Sequence, residues 1–376
     1  MAVFHVSVDR IVKGSGMGGA TGFAQYIARE QPDKATQHAR YLTRESHPAK
    51  DDLVRAGHDN LPGWAKDATH FFRMADQYER RGGIVARTYE VALPRELSPE
   101  QRQALADDIR SAFFNRHPHA WAMHNPTARD GQEQPHVHIM VCERMVDGLE
   151  RGPQRFFSRA ANHGDDPARG GAKKELYWNT QRSLTERRAG IATLINASLE
   201  RHGHLVAVSA LPLKDRGYGY DREPERDQGS KARYLYAKHG ITTKGWQQTL
   251  ADRAILHREI FPVENQMNLE AWRQQKTREG IHDLSRAAMV DHVRDTFWRH
   301  DRSPARQAER EASMLRSLDR ALAQRAQTHT QAPAREQTRE RQPGRQQGLS
   351  LGLGMDDTAH GGAHVRQQDH ALEWTR

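Results

Sequence analysis

Cysteine is nearly absent from this chain of 376 residues, in which Cys142 is the only one. A single cysteine excludes an intramolecular disulfide framework and a zinc site built from several thiolates. Long apolar runs are also missing, because no stretch approaches the roughly 18 residues that a membrane-spanning helix needs. Residues 1–5 lack the cationic stretch leading into an apolar one that marks a secretory signal. These absences predict a soluble, cytoplasmic protein.

Apolar residues and acidic charge are both in short supply. Only 36% of the residues are hydrophobic and the mean hydropathy is −0.90, which is low for a chain that could fill two ordinary domains. Part of the chain is therefore predicted to be tail rather than core. The 57 lysines and arginines outnumber the 48 acidic residues, for a net charge of +9 and a pI near 9.7. This balance favours a polyanionic partner.

The apolar residues that are present follow strand and helix periodicities in turn. Residues 3–8 alternate as a strand does, residues 34–70 are polar and rich in loop residues, and residues 84–93 form the clearest strand. The sequence Ser98-Pro99-Glu-Gln then opens a helix, with serine as the N-cap and proline at the first position. The order of strand, helix, loop, helix, strand, helix and hairpin predicts an α+β fold with an antiparallel sheet.

Changes in composition predict three segments. Residues 1–231 contain the sheet and its helices, and residues 232–327 follow a helical pattern. Residues 328–376 are rich in glutamine, arginine, proline and glycine with almost no apolar periodicity, so they are predicted to be disordered. Residues 303–347 carry nine arginines against five acidic residues and no lysine. Such a segment can contact phosphates without reading sequence, or it can serve as a docking signal for another protein.

Three histidines form the most informative pattern in the sequence. Side chains alternate along a strand, so His136 and His138 share one face of the strand that follows Pro135. Residues 119–124 have the pattern of a short strand that ends at His124, and the connection to the next strand contains loop-forming residues. If the two strands pair as a hairpin, three imidazoles meet and can bind one divalent metal ion.

The chemistry of such a metal site depends on its substrate and nucleophile. On a basic protein, a metal with open positions suits a nucleic-acid phosphodiester. Water and tyrosine are the two obvious nucleophiles, and a phosphotyrosine would conserve the phosphodiester energy so that the strand can be rejoined. A lone histidine among the 22 in this chain would more often be an ordinary polar residue. The residue pattern does not choose among the nine tyrosines.

Several linked motifs lie between residues 64 and 148. They are Trp64-Ala-Lys-Asp, Phe71-Phe72, Tyr78-Glu-Arg-Arg, Tyr89-Glu90-Val-Ala-Leu-Pro-Arg-Glu-Leu97, Trp121-Ala-Met-His124-Asn-Pro126, Glu133-Gln-Pro-His136-Val-His138-Ile-Met140, Glu143-Arg144 and Asp147-Gly148. Together they resemble the MobA/MobL family of plasmid mobilisation relaxases, which are His-hydrophobe-His nucleases that nick one DNA strand at an origin of transfer. The resemblance covers residues 3 to 230, approximately, and residues 208–217 lack a histidine that the family often has there.

The resemblance implies roles for individual residues. The family's nucleophilic tyrosine precedes the histidine pair, and the matching position is Tyr26, with Tyr41 as the alternative. An acidic role near the metal falls on Glu90, as a ligand or as a neighbour that orients one, although Glu90 could also be a solvated strand carboxylate. His5, on the polar face of the first strand, is a weaker candidate. The implied metal ligands are His124, His136 and His138.

The metal and the partners follow in the same way. Three imidazoles favour zinc or another transition ion, whereas the resemblance implies magnesium or manganese. The implied partners are single-stranded and duplex origin-of-transfer DNA, accessory mobilisation proteins and a secretion-system coupling protein, without membrane insertion.

Two other functions remain compatible with the residues. A rolling-circle replication initiator or transposase of the same superfamily shares the chemistry but usually places its tyrosine after the histidine pair. A non-catalytic DNA-binding protein with a structural metal would bind DNA without forming a covalent adduct.

Overall fold

Ten stretches of the chain are described by the computed structural model. For residues 25–27 and 324–339 the description covers the backbone alone. The described residues are 4–13, 19–27, 52–128, 132–162, 164–212, 215–216, 232, 235–236, 239–301 and 304–339.

Antiparallel pairing organises the strands of the described residues into one five-stranded sheet. The sheet has the order β1-β3-β5-β4-β2, and every neighbouring pair is antiparallel. The α+β prediction is therefore confirmed. The strands are β1 (Val6–Val12), β2 (Leu53–Asp59), β3 (Ile84–Ala92), β4 (His119–His124) and β5 (His136–Val141).

The helices of the described residues lie between and after these strands. A π-helical turn, Leu256–Ile260, connects two of the later ones. None of the described helices is both long and apolar enough to cross a membrane. The helices are α1 (Gly19–Ile27), α2 (Ala68–Tyr78), α3 (Pro99–Phe114), α4 (Pro153–Phe156), α5 (Gln181–Arg201), α6 (Lys244–Ile255), α7 (Phe261–Arg278), α8 (Arg286–Phe297) and α9 (Pro304–Arg339).

The two faces of the sheet are covered by different helices. On one face Val137, Ile139 and Val141 of β5 pack into a large core with apolar residues of α3, α5, α7 and α8. On the other face Met140 packs into a smaller core with residues of α1, α2 and α4. Because side chains alternate along a strand, His136 and His138 lie on the second face, where both are partly exposed.

Helix α3 begins as its sequence predicts. The side chain of Ser98 accepts a hydrogen bond from the backbone N–H of Gln101, and the side chain of Gln101 accepts one from the backbone N–H of Ser98. Such a reciprocal cap satisfies two otherwise unpaired donors. The apolar stripe of the helix, Leu105, Ile109 and Phe113, is fully buried.

Strand β2 is not predicted from the sequence, in which residues 34–70 are polar and rich in loop residues. β2 lies at an edge of the sheet, and most of its side chains are exposed, including Val54. Without a buried face it has no clear alternation of apolar residues. Its backbone hydrogen bonds to β4 make it a strand, and those bonds leave no pattern in the sequence.

The chain forms two compact units, one ending at Arg299 and one beginning at His300. The predicted boundary after residue 231 does not separate them, because Trp272 of α7 and Phe297 of α8 lie in the large core of the first unit. The backbone of residues 328–339, the first part of the tail predicted to be disordered, continues helix α9. The predicted disorder of the tail stays a prediction. Alanine, glutamine, arginine and glutamate favour a helix even without an apolar stripe. Residues 340–376 lie outside the described residues.

Candidate active site

The three predicted histidines converge at the loop end of the β4–β5 hairpin. The Cα of His124 pairs directly with that of His136. His138 lies two residues further along β5 on the same face, opposite Ala122. The centroids of the His124 and His136 rings are 5.5 Å apart, those of His124 and His138 are 5.3 Å apart, and those of His136 and His138 are 4.9 Å apart. The expectation that a hairpin would bring these imidazoles together agrees with this geometry.

Two of the rings have neighbours that orient them. Nδ1 of His136 lies 2.9 Å from the carbonyl oxygen of Gln134, so it can donate its proton there and leave Nε2 available to a metal. Nδ1 of His124 lies 3.6 Å from Oδ1 of Asp52, and the His124 side chain is only 1% exposed. The sequence does not predict a role for Asp52, because no local pattern of residues connects it with a histidine that is distant along the chain.

The donor set fits a metal ion, although the rings are not arranged for one as they stand. Among the described residues, no group of three or more His, Cys, Asp or Glu side chains is positioned to hold a metal ion. The rings of His124 and His136 are stacked at 14°, whereas that of His138 stands at 81° and 85° to them. Rotation about the side-chain torsions would be needed to aim three nitrogens at one point. Three neutral imidazoles at this spacing remain a suitable ligand set for a divalent ion.

Glu90 lies next to His138 in the sheet. Its Cα pairs with that of His138 in β5 on one side and with that of Ser7 in β1 on the other. Directly opposed residues of an antiparallel pair point to the same face, so Glu90 belongs to the histidine face and is half-buried there. The carbonyl oxygen of His5 accepts a hydrogen bond from the backbone N–H of Ala92, which lies two residues after Glu90 in β3. His5 therefore lies at the edge of the same face.

Helix α1 brings the predicted nucleophile position to this face. The ring of Phe23 makes an edge contact with that of His138, at 6.5 Å between centroids. Tyr26 follows Phe23 by three residues, a spacing that puts two positions on the same side of a helix. The backbone of Tyr26 is part of α1, whereas its side chain is not described. The alternative, Tyr41, lies outside the described residues.

The two charged residues of the Glu143-Arg144 motif form buried ion pairs. Nε of Arg87 lies 2.6 Å from Oε1 of Glu143, and Arg144 forms an ion pair of 3.0 Å with Glu79, all four side chains being nearly fully buried. Lys174 approaches the same carboxylate of Glu79 at 3.1 Å. Buried charges of this kind are tolerated only when they are paired, so this motif has a structural role.

Cys142 does not add a nucleophile. The thiol is buried next to this ion-pair network, and burial raises its pKa to about 11. A thiol with so high a pKa stays protonated near neutral pH and is a poor nucleophile and a poor metal ligand.

Comparison with known proteins places these elements in a family. The family model described as MobA/MobL matches residues 20–238, which is more than half of the chain. The "43 kDa relaxation protein" of Salmonella typhimurium is 38% identical over 230 residues, which cover 59% of this chain and 57% of that protein. "Mobilization protein A" of Escherichia coli is 31% identical over 221 residues, which cover 58% of this chain and 28% of that protein.

Two further proteins are more distant. "Mobilization protein MobL" of Acidithiobacillus ferridurans is 28% identical over 268 residues, which cover 64% of this chain and 65% of that protein. A solved structure reported as "Molecular Basis of Vancomycin Resistance Transfer in Staphylococcus aureus" aligns with a TM-score of 0.41 and 21% identity over 56% of this chain and 100% of that one, a score too low to support the fold. The chain spans less than two thirds of the length of each of the three curated relatives. With more than half of its residues matched, including helix α1 and the histidine hairpin, the chain belongs to the MobA/MobL family.

Proposed function

We propose that this protein is a relaxase that nicks one strand of DNA at a plasmid origin of transfer and so initiates conjugative mobilisation. The observation that carries the proposal is the meeting of three imidazoles, His124, His136 and His138, with the helix that contains Tyr26. Relatives named as relaxation and mobilization proteins support the same function.

In the proposed reaction the phenolic oxygen of Tyr26 attacks the phosphorus of the scissile phosphodiester. A bond forms between this oxygen and phosphorus, and the bond from phosphorus to the 3′-oxygen breaks. The phenol loses a proton and the departing 3′-oxygen gains one, so the products are a 5′-phosphotyrosine and a free 3′-hydroxyl. Attack by that hydroxyl on the phosphotyrosine reverses the step and closes the strand.

The histidine face would hold the reacting phosphate. His124, His136 and His138 would hold a divalent ion, which would stabilise the negative charge that develops on the phosphate oxygens. We propose magnesium or manganese as that ion, with zinc as the alternative that the imidazole ligands favour. Glu90, beside His138 in the sheet, would bind the ion or orient the ligand next to it.

The net charge of the chain agrees with a nucleic-acid substrate. A net charge of +9 attracts the phosphates of single-stranded and duplex origin DNA. Accessory mobilisation proteins and a secretion-system coupling protein remain part of the proposal as further partners, and the cytoplasm as its site of action.

The decisive experiment is a search for the covalent adduct. The full-length protein is incubated with a labelled single-stranded origin oligonucleotide and a divalent metal, and the denatured mixture is examined for labelled protein. Tyr26→Phe should abolish the adduct while DNA binding persists, because only the phenolic oxygen is lost. Tyr177→Phe is a matched control, since it removes a hydroxyl that donates to Glu186 on the opposite side of the sheet.

Three outcomes would contradict the proposal or part of it. DNA binding without any adduct in the wild-type protein would favour the non-catalytic DNA-binding alternative. A normal adduct in Tyr26→Phe that disappears in Tyr41→Phe would move the nucleophile to Tyr41. Cleavage of a replication origin or transposon end in preference to an origin of transfer would favour the related initiator or transposase function.

A further inference from the structure

A carboxylate on helix α2 caps the beginning of helix α1. Oδ1 of Asp76 accepts a hydrogen bond of 3.0 Å from the backbone N–H of Ala20, and Oδ2 accepts one of 2.9 Å from the backbone N–H of Thr21. The hydroxyl of Thr21 donates a third bond to Oδ2, at 2.6 Å. All three bonds connect residues that are 55 or 56 positions apart in sequence.

Helix α1 needs such support. It has nine residues and no acidic residue in its first turn. Isolated helices of this length are marginal in water, and the N–H groups of a first turn have no partners within the helix. A negative charge at this end is also favoured by the helix dipole, and hydrogen bonds to a carboxylate are stronger than neutral ones. Asp76 therefore supplies from another helix what the sequence of α1 lacks.

The same helix, α2, holds the chain on both sides of the connection that precedes α1. Nζ of Lys13, just after β1, donates to the carbonyl oxygens of Gln77 at 2.8 Å and Glu79 at 2.6 Å. Ala20 and Ala24 of α1 are buried in the small core together with residues of α2. The placement of α1 against the sheet is thus set by its contacts with α2.

We infer that Asp76 is a positioning residue for the covalent step, which it assists by fixing the first turn of the helix that carries Tyr26. The inference rests on the proposed function. Phe23 of α1 already contacts His138, so a shift of α1 changes the distance between this helix and the histidines. A displacement of about 1 Å can slow a reaction that depends on alignment by about 100-fold.

The test compares Asp76→Ala and Asp76→Asn with a matched control in the full-length protein. Asp67→Ala is that control, because Asp67 caps α2 itself by accepting a hydrogen bond of 2.6 Å from the N–H of His70. It loses a cap of the same chemistry without touching α1. The measurements are the single-turnover rate of adduct formation at saturating origin oligonucleotide, the Kd for that oligonucleotide, and amide hydrogen exchange in the peptide that contains α1.

The expected result separates positioning from stability. Asp76→Ala should slow adduct formation about 10- to 100-fold with the Kd changed less than about threefold, and exchange in α1 should become faster. Asp76→Asn keeps one acceptor oxygen and should fall between Asp76→Ala and the wild type. Asp67→Ala should form the adduct at close to the wild-type rate.

Three results would overturn the inference. A wild-type adduct rate in Asp76→Ala despite faster exchange would show that Asp76 stabilises α1 without positioning the nucleophile. Equal slowing in Asp76→Ala and Asp67→Ala would indicate a general loss of stability. An adduct that forms on Tyr41 in the wild-type protein would remove the nucleophile assignment, and the inference with it, whatever the exchange measurement shows.

Discussion

The three histidines have different surroundings although they present the same chemical group. His124 is fully buried beside Asp52, whereas His136 is half-buried and can donate to a backbone carbonyl. His138 meets the ring of Phe23 from the neighbouring helix. Truncation of the buried His124 ring would leave a cavity and destabilise the protein. Truncation of the half-buried His136 ring removes a proposed ligand with less effect on stability, so His136 is the better position for a test.

The proposed metal site is tested most directly at His136. His136→Ala should lower the affinity for Mn²⁺ by more than about 100-fold. Mutation of a group that only orients a metal ligand already lowers metal affinity by about 10- to 100-fold, and His136 would be a ligand itself. Isothermal titration calorimetry measures this affinity without DNA, and the adduct assay should show the matching loss. His282→Ala, which changes an exposed histidine, is the control. Equal Mn²⁺ affinity in the two variants, or full activity in EDTA, would contradict the metal site.

A substitution of Glu90 tests whether its carboxylate acts at the metal site or is an ordinary solvated side chain. Glu90→Gln should slow adduct formation about 10- to 100-fold if the carboxylate binds the ion or orients a neighbouring ligand. The control is Glu150→Gln, at an exposed position away from the strands. Adduct formation at the wild-type rate in Glu90→Gln would return Glu90 to the role of an ordinary strand carboxylate.

At the scale of elements, the short ones depend on side chains from elsewhere in the chain. Edge strand β2 has little apolar surface of its own, and Asp59 at its end ties it to the sheet. A carboxylate oxygen of Asp59 lies 3.2 Å from Nε2 of His119 and accepts a hydrogen bond of 3.1 Å from the indole N–H of Trp121. Arg110 of α3 forms an ion pair with the same carboxylate.

These contacts make the attachment of β2 sensitive to acid. The hydrogen bond with His119, together with the charge of Arg110, holds the pKa of Asp59 below its ordinary value of about 3.9, against the opposing effect of burial. The stability that the ionised form contributes is complete above that ordinary value and is lost as the pH falls through the lower value of the folded state.

Asp59→Asn should therefore flatten the decline of stability with acid. Urea unfolding between pH 5 and pH 2.5, approximately, should show a smaller loss of free energy of unfolding in this variant than in the wild type. At neutral pH the variant should be less stable by about 1 kcal/mol or less, because the Asp59 side chain is 45% exposed and solvent screens its charge. Identical pH dependence in the two proteins would mean that Asp59 does not contribute to acid unfolding.

At the scale of the whole molecule, the end of the first compact unit determines how far the chain can be shortened from its C-terminal side without unfolding that unit. Trp298 and Phe297 are buried in the large core, close to Arg299, where that unit ends. A chain that ends at Arg299 should keep the thermal unfolding midpoint of the full-length protein within about 3 °C. A chain that ends at residue 231 should not unfold cooperatively, because the loss of one large aromatic residue from a core already costs about 3–5 kcal/mol. Cooperative unfolding of the shorter chain would contradict this prediction.

The same shortened chain, ending at Arg299, tests the role of the arginine-rich segment. It should still form the adduct, but it should bind DNA more weakly. The slope of the logarithm of the binding constant against the logarithm of the salt concentration should become shallower by about 0.7–0.9 for each phosphate contact that is lost. Unchanged affinity and slope, together with the loss of plasmid transfer between cells, would instead favour a docking role for residues 303–347.

The sequence by itself determined the features whose partners are close in the chain. The hairpin that joins the histidines, the cap of α3 and the antiparallel α+β class follow from alternation, turn residues and capping residues within short windows. The tertiary structure decided the rest: the edge strand β2, the neighbour of His124, the cap that Asp76 provides for α1, and the packing of α7 and α8 in the first core. Those contacts join residues that are distant along the chain, and a contact between distant residues leaves no periodic pattern at either of them.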